Sequence, residues 1–163
     1  MFDGSTILPP ARNRYEGSPF AFYFLILLAC QFTFRGCVHY FAPDGGAGII
    51  AGIPLETYSD GAVRTIISGF AAFGIGHLLE AVIVWLVLVR YRSLIPLTYL
   101  FILANYLLGF ALFLTKPLPI VPPGQIGIYV LLPIVSVFFL LSIRKSAPSS
   151  RGADVGAAHG NPV

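Results

Sequence analysis

Four stretches of this chain are each apolar enough, and long enough, to cross a bilayer as a helix, and together they leave little room for anything else. They run over about residues 19–40, 63–89, 94–115 and 125–143, and about 20 such residues suffice to span the hydrocarbon. In that medium each backbone N–H and C=O must find its partner within the segment, which selects helices. Composition agrees. Of 163 residues, 56% are hydrophobic and 10% charged, with a mean hydropathy of +0.82, values outside the range of an ordinary soluble domain. The expected fold class is an all-α membrane protein, a four-transmembrane-helix bundle over residues 19–144. A polar arm over 1–18 precedes it, and a polar, small-residue tail over 145–163 follows.

Charge sets the expected orientation. Arg12 and Arg14 precede the first span, Arg90 and Arg92 separate the second from the third, and Arg144, Lys145 and Arg151 follow the fourth. All seven fall on one side, and cytoplasmic segments retain Lys and Arg, so both termini are expected to be cytoplasmic in a bacterial inner membrane. Arg90, Arg92, Arg144 and Lys145 are placed to reach lipid headgroups. Apart from Arg35 inside the first span, the opposite side keeps Arg64 and Lys116 beside Asp44, Glu56 and Asp60. The net charge of +3 is spread over three short segments, which argues against a nucleic-acid partner. Arg12, Arg14 and "LLAC" imitate a lipoprotein signal ending at Cys30, but the apolar run continues through "QFTFRGCVHYF" and suits an uncut span better. Cys30 and Cys37 are separated by about 10 Å along a helix, too far for a disulfide, and read as small apolar side chains facing other helices.

The second span, "GFAAFGIGHLLEAVIVWLVL" over 69–88, carries His77 and Glu80 near its middle. Counted from the cytoplasmic ends, Gln31, Glu80 and Asn105 lie roughly 12, 10 and 11 residues into their helices, which places them in one polar layer. His77 borders that layer on the face of Glu80, and Arg35 stands a turn or more above it. Ser68, Ala72, Gly76 and Glu80 recur every four residues with Gly69 alongside, a small-residue face for close helix approach. An ionisable group on such a face is expected to point into the bundle. The layer serves either as a device for helix register or as a polar anchor for a ligand.

Several chemistries are excluded. Counted along the helices, His77 lies about 20 Å deeper than His39, so the two are not expected to share a haem iron. His77-x-x-Glu80 is half of a di-iron carboxylate motif without the additional Glu residues that such a site needs. Ser68 and Cys37 have no base placed to activate them, and "DGG" lacks the strand and the Lys-Ser or Lys-Thr of a phosphate loop. No catalytic residue, metal ligand or obligatory cofactor is assigned. A bound lipid, quinone or pigment is compatible with the polar layer. Arg35 and His39, four apart, either bind an anionic headgroup or bond to the following "APDGG" loop. The loop centre "GAGIIAGIPL" is too short to span and is expected in the interface or over the outer mouth. "KPLPIVPPG" is expected to be extended, and "RYRS" is a minimal turn.

"HYFAPDGGAGIIAGIPLE" (39–56), "VRYRSLIPLTYL" (89–100) and the "KP…PPG" loop (116–124) resemble a family of small bacterial four-helix membrane proteins of unknown function, loosely similar to DoxX-type proteins. The resemblance covers roughly residues 35–140. It implies an inner-membrane location and the same architecture, and it carries no functional residue. Three functional readings stand. The first is a non-catalytic accessory or scaffold subunit of a larger membrane complex of photosynthetic or respiratory type, suggested by small size and by Phe20, Phe22, Phe24, Phe32 and Phe34 spread around the first helix. The second is a free-standing bundle that binds or carries a lipid-like or quinone-like molecule, and the third an enzyme acting on such a molecule. In all three the bilayer is a partner. Fusions of a cytoplasm-active and a periplasm-active reporter to either terminus, and to the loop at Gly48, test the topology: both termini are expected to report cytoplasm and Gly48 the opposite side.

Overall fold

The computed structural model describes residue 8 and residues 10–144. The expectations for Lys145, Arg151 and the 145–163 tail, and for most of the first nine residues, lie outside the described residues. Four helices follow in order: α1 (Pro19–Phe41), α2 (Asp60–Arg90), α3 (Ile95–Thr115) and α4 (Pro123–Ile143). All four are long and apolar enough to cross a membrane, and the protein is read as a multi-pass membrane protein. Proline opens three of them. Pro19, Pro96 and Pro123 sit in the first two positions of α1, α3 and α4, where a missing N–H costs no hydrogen bond and the fixed φ suits the helix. Inside α4, Pro133 removes one ladder bond.

Packing divides the bundle into two hairpins. α2 runs along α1, α3 runs along α4, α1 and α4 join the pairs, and α2 and α3 make few contacts with each other. Glycine lets the first pair close. A Cβ at Gly36 would lie 2.8 Å from Leu78 Cγ, and one at Gly74 would lie 2.8 Å from the Tyr40 backbone nitrogen. The stripe expected to pack, Ser68, Gly69, Ala72 and Gly76, is instead exposed, and a Cβ at Gly69 or Gly76 would meet nothing within 4 Å. α2 is turned so that Gly74, His77, Ala81, Val84 and Leu88 face inward. The four-residue recurrence was genuine, but burying the ring of His77 with the Val and Leu side chains below it selects the neighbouring stripe.

The apolar core lies at the end of the bundle where α1 begins and α4 ends. It comprises Ala21, Leu25, Leu28, Ala29 and Phe32 of α1, Ala81, Val84, Val87 and Leu88 of α2, Ile95, Tyr99, Ile102 and Tyr106 of α3, and Val135 of α4. Tyr99, fully buried, donates from its hydroxyl to the Ala21 carbonyl at 2.6 Å and ties α3 to the first turn of α1. The arm contributes to this end. Arg12 N–H donates to the Arg90 carbonyl and Ser93 N–H to the Arg12 carbonyl, which brackets the α2–α3 turn, while Ser18 N–H reaches the Leu141 carbonyl of α4. Burial pushes the Tyr15 phenol of this arm up to about 12. Cys30 is exposed and Cys37 half-buried, so Cys30 faces outward and not toward another helix.

At the opposite end the 42–59 loop folds into successive turns. Gly45 and Gly46 have φ of 61° and 75°, a left-handed pair that side chains resist, and Asp44 is clasped by N–H donors from Ile49 (2.9 Å), Gly46 (2.8 Å) and Gly48 (3.1 Å). Those donors, with Ile49 first, hold the Asp44 carboxyl below the usual carboxylate range. A depressed folded-state pKa means the stabilisation is complete above the ordinary Asp value and is lost as pH falls through the depressed one.

Two measurements test this fold. Gly74→Ala is expected to lower unfolding stability in detergent by about 1–3 kcal/mol through overpacking against backbone, while Gly76→Ala is expected to be neutral or slightly stabilising. Loop amide protection, corrected for intrinsic exchange, should stay constant from neutral pH down to the ordinary carboxylate range and fall below it; Asp44→Asn should lack most of it throughout.

Candidate functional site

Because α2 and α3 make few contacts with each other, a groove of about 670 Å³ opens between them, lined by Ala72, Gly76, His77, Glu80, Phe101 and Asn105 among others. Its polar floor joins the two helices. Asn105 Nδ2 donates toward both carboxylate oxygens of Glu80, at 3.4 and 3.5 Å, a long, shared contact. His77 Nδ1 stands 3.4 Å from Glu80 Oε2. That is an ion-pair distance without hydrogen-bond geometry, and neither ring nitrogen of His77 has a hydrogen-bond partner although the residue is only 8% exposed. Aromatic rings hold the imidazole: Phe32 stacks at 5.9 Å and Phe73 meets it edge-on at 4.5 Å.

His39 is close by, with ring centroids 6.5 Å apart, which corrects the depth separation expected from counting. The reason is register. Gly74 lies against His39 and Tyr40, so the first turns of α2 project past the end of α1 and His77 returns to the level of His39. Both nitrogens of His39 are engaged: Nδ1 bonds the Gly45 carbonyl at 2.7 Å and Nε2 accepts from Arg35 Nε at 3.4 Å. A carbonyl only accepts, so the proton is on Nδ1. This engagement, and not depth, is what leaves His39 without a free ligand atom.

A second cavity of about 800 Å³ occupies the loop end between the two hairpins. All four helices and both longer loops contribute, and Gln31, Arg35, His39, Thr65 and Gln125 are its polar lining. Ile50 and Ile53 from "GAGIIAGIPL", with Leu118 and Pro122 from the second loop, complete the wall. The expected polar layer is thus divided. Glu80, His77 and Asn105 meet at the groove, while Gln31 and Arg35 line the neighbouring chamber, with Phe73 as a wall of both. Gln31 Oε1 and the Tyr106 hydroxyl are also buried without hydrogen-bond partners. Tyr106 was not singled out from sequence, yet a tyrosine adjacent to Asn105 in an apolar helix carries the signal, since its hydroxyl needs a partner when buried.

At the core end of the bundle Arg92 donates from Nε to the Leu88 carbonyl at 2.9 Å and covers the Phe22 ring, Arg90 donates from Nε to the Tyr91 hydroxyl, and Arg144 is exposed. Among the described residues no cluster of three or more His, Cys, Asp or Glu is placed to hold a metal ion. Comparison with protein-family models, curated proteins and solved structures found no match to this chain.

Orphaned polar atoms in a native interior are few, and each asks for a partner. Among the described residues four buried side-chain atoms lack one, on His77, Gln31 and Tyr106; His77 borders the groove and Gln31 the chamber. Chemically, His77 offers one donor and one acceptor, Glu80 acceptors or a shared proton, and Asn105 an amide. That set recognises a hydroxyl, carbonyl or similar head. Phe73 is half exposed, so replacing it with Ala is expected to release one face of the imidazole and lower stability by about 1 kcal/mol, the worth of one aromatic contact; detergent unfolding measures it.

Proposed function

We propose that this protein is a non-catalytic membrane bundle that binds a membrane-dissolved, lipid-like or quinone-like molecule in the α2–α3 groove, with its polar head on His77, Glu80 and Asn105. The observation that carries this reading is the imidazole of His77, buried beside a cavity with neither nitrogen hydrogen-bonded. The groove faces outward between two apolar helices, so a ligand reaches it sideways from the bilayer. Polar groups bordering hydrocarbon are costly to leave uncovered. Asn105 is exposed and the Glu80 side chain is 21% exposed, and a polar head on them would remove that cost. With the basic residues read as cytoplasmic, the protein belongs in a bacterial inner membrane.

The accessory-subunit reading has its own support in the exposed stripe of Ser68, Gly69, Ala72 and Gly76, onto which a helix of another membrane protein would fit closely. One experiment separates the two. Protein purified in mild detergent is solvent-extracted, and co-purifying molecules are identified by mass spectrometry for wild type, Glu80→Gln and His77→Phe. The binding reading expects one retained amphiphile in wild type and a loss of about tenfold in each variant, as expected for one lost hydrogen bond. Equal retention in all three would overturn it. A stoichiometric protein partner that Gly76→Leu displaces would establish the subunit reading.

A further inference from the structure

Arg35 stands apart from the groove chemistry. It lines the 800 Å³ chamber, and among the described residues no carboxylate lies within 4 Å of its guanidinium. Among the described residues its hydrogen bond is the 3.4 Å contact from Nε to His39, which leaves the Nη groups, the bidentate fork of the side chain, to other partners. The fork is not swung out toward the loop-end surface. It lies over the Phe73 ring, with Cζ 5.4 Å from the centroid, and it presses on the first turn of α4 so closely that a Cβ at Gly124 would collide with Nη2.

That position is unfavourable for a cation, the burial of the guanidinium outweighing the longer-range influence of Tyr106 and Glu80. The start of α4 presents the positive end of a helix, where anions and not cations are stabilised, and a guanidinium inside a membrane bundle normally pairs. An oxyanion against Nη1 and Nη2 would relieve both. Apart from Gln31, Thr65 and Gln125, the remaining walls are apolar and come from each helix in turn: Val38, Ile66, Phe113 and Leu131. A free inorganic anion has no use for such walls, whereas an acyl chain has. We infer that the loop-end chamber is a binding site for an anionic lipid, with a phosphate or carboxylate head held bidentately by Arg35 and the apolar chain along the four-helix wall. His39 takes part as a positioning residue: its Nδ1 bond to Gly45 fixes the tautomer whose Nε2 receives Arg35 Nε–H and aims the fork. The site involves different polar residues from the α2–α3 groove and does not rest on that reading.

The test is native mass spectrometry of the full chain in neutral detergent, titrated in separate arms with phosphatidylglycerol, phosphatidylcholine and inorganic phosphate. Wild type is expected to bind phosphatidylglycerol about tenfold or more tightly than phosphatidylcholine, in keeping with a charge-assisted bidentate contact. Arg35→Gln should erase that difference. Gly124→Ala, which keeps every charge and suits a helix, should weaken the preference by displacing the fork, and it carries the test if Arg35→Gln does not fold. Arg64→Gln, which removes a cation from the loop end without touching the chamber, should leave the preference intact. Equal binding of the two lipids by wild type, or an equal effect of Arg64→Gln, would overturn the site. Tight binding of inorganic phosphate that competes with phosphatidylglycerol and vanishes in Arg35→Gln would overturn the lipid assignment in favour of a free anion.

Discussion

The close approach of α1 and α2 at Gly36 and Gly74 sets the geometry of everything described above. With backbone so near to backbone, the two helices have little freedom to slide or rotate, and the register that results puts Phe32 and His39 on either side of His77. It also leaves Glu80 directed away from α1, toward α3. Membrane helices associate through such packing because lipid offers no hydrophobic drive to bring apolar faces together. A larger side chain at either glycine would open the pair, and the aromatic cage around His77 would lose its shape before the rest of the core was affected.

The positions of the helices were plain in the sequence because hydrocarbon imposes a minimum length and a near-absence of charge, and their ends were marked by Pro19, Pro96 and Pro123. The contact of Glu80 with Asn105 was also accessible by counting residues, since both helices are joined by a short turn and share an origin for depth. His39 and His77 have no such shared origin. A 22-residue run of loop and turns was assumed to start α2 at the level where α1 stops, whereas α2 begins well beyond it and the loop packs against its first turns. The facing stripe failed for another reason. Small residues recur every four positions on one face of α2, whereas the neighbouring face that packs has a single point of close backbone approach at Gly74, set by the fit of His77 between His39 and Phe32 of α1.

Polar chemistry and apolar packing are separated along the bundle. Tyr99, Phe32, Leu25 and their neighbours fill the half where α1 begins and α4 ends, and the arm stitches that half together by backbone hydrogen bonds. The half with the loops is held by polar clips instead: Asp44 on its N–H donors, and His39 on Gly45 and Arg35. This arrangement allows two cavities in a chain of 163 residues without loss of a continuous core. It also explains why the orphaned polar atoms gather at the boundary between the halves, where packing gives way to open space.

A bundle that is cored at one end only behaves as a wedge with a pivot. Hydrophobic mismatch and lateral pressure act with depth, so thickening or crowding of the bilayer bears on the two ends unequally and produces a torque about the filled end. The separation of α2 from α3, unlike that of α1 from α2, then becomes a mechanical variable set partly by the surrounding lipid.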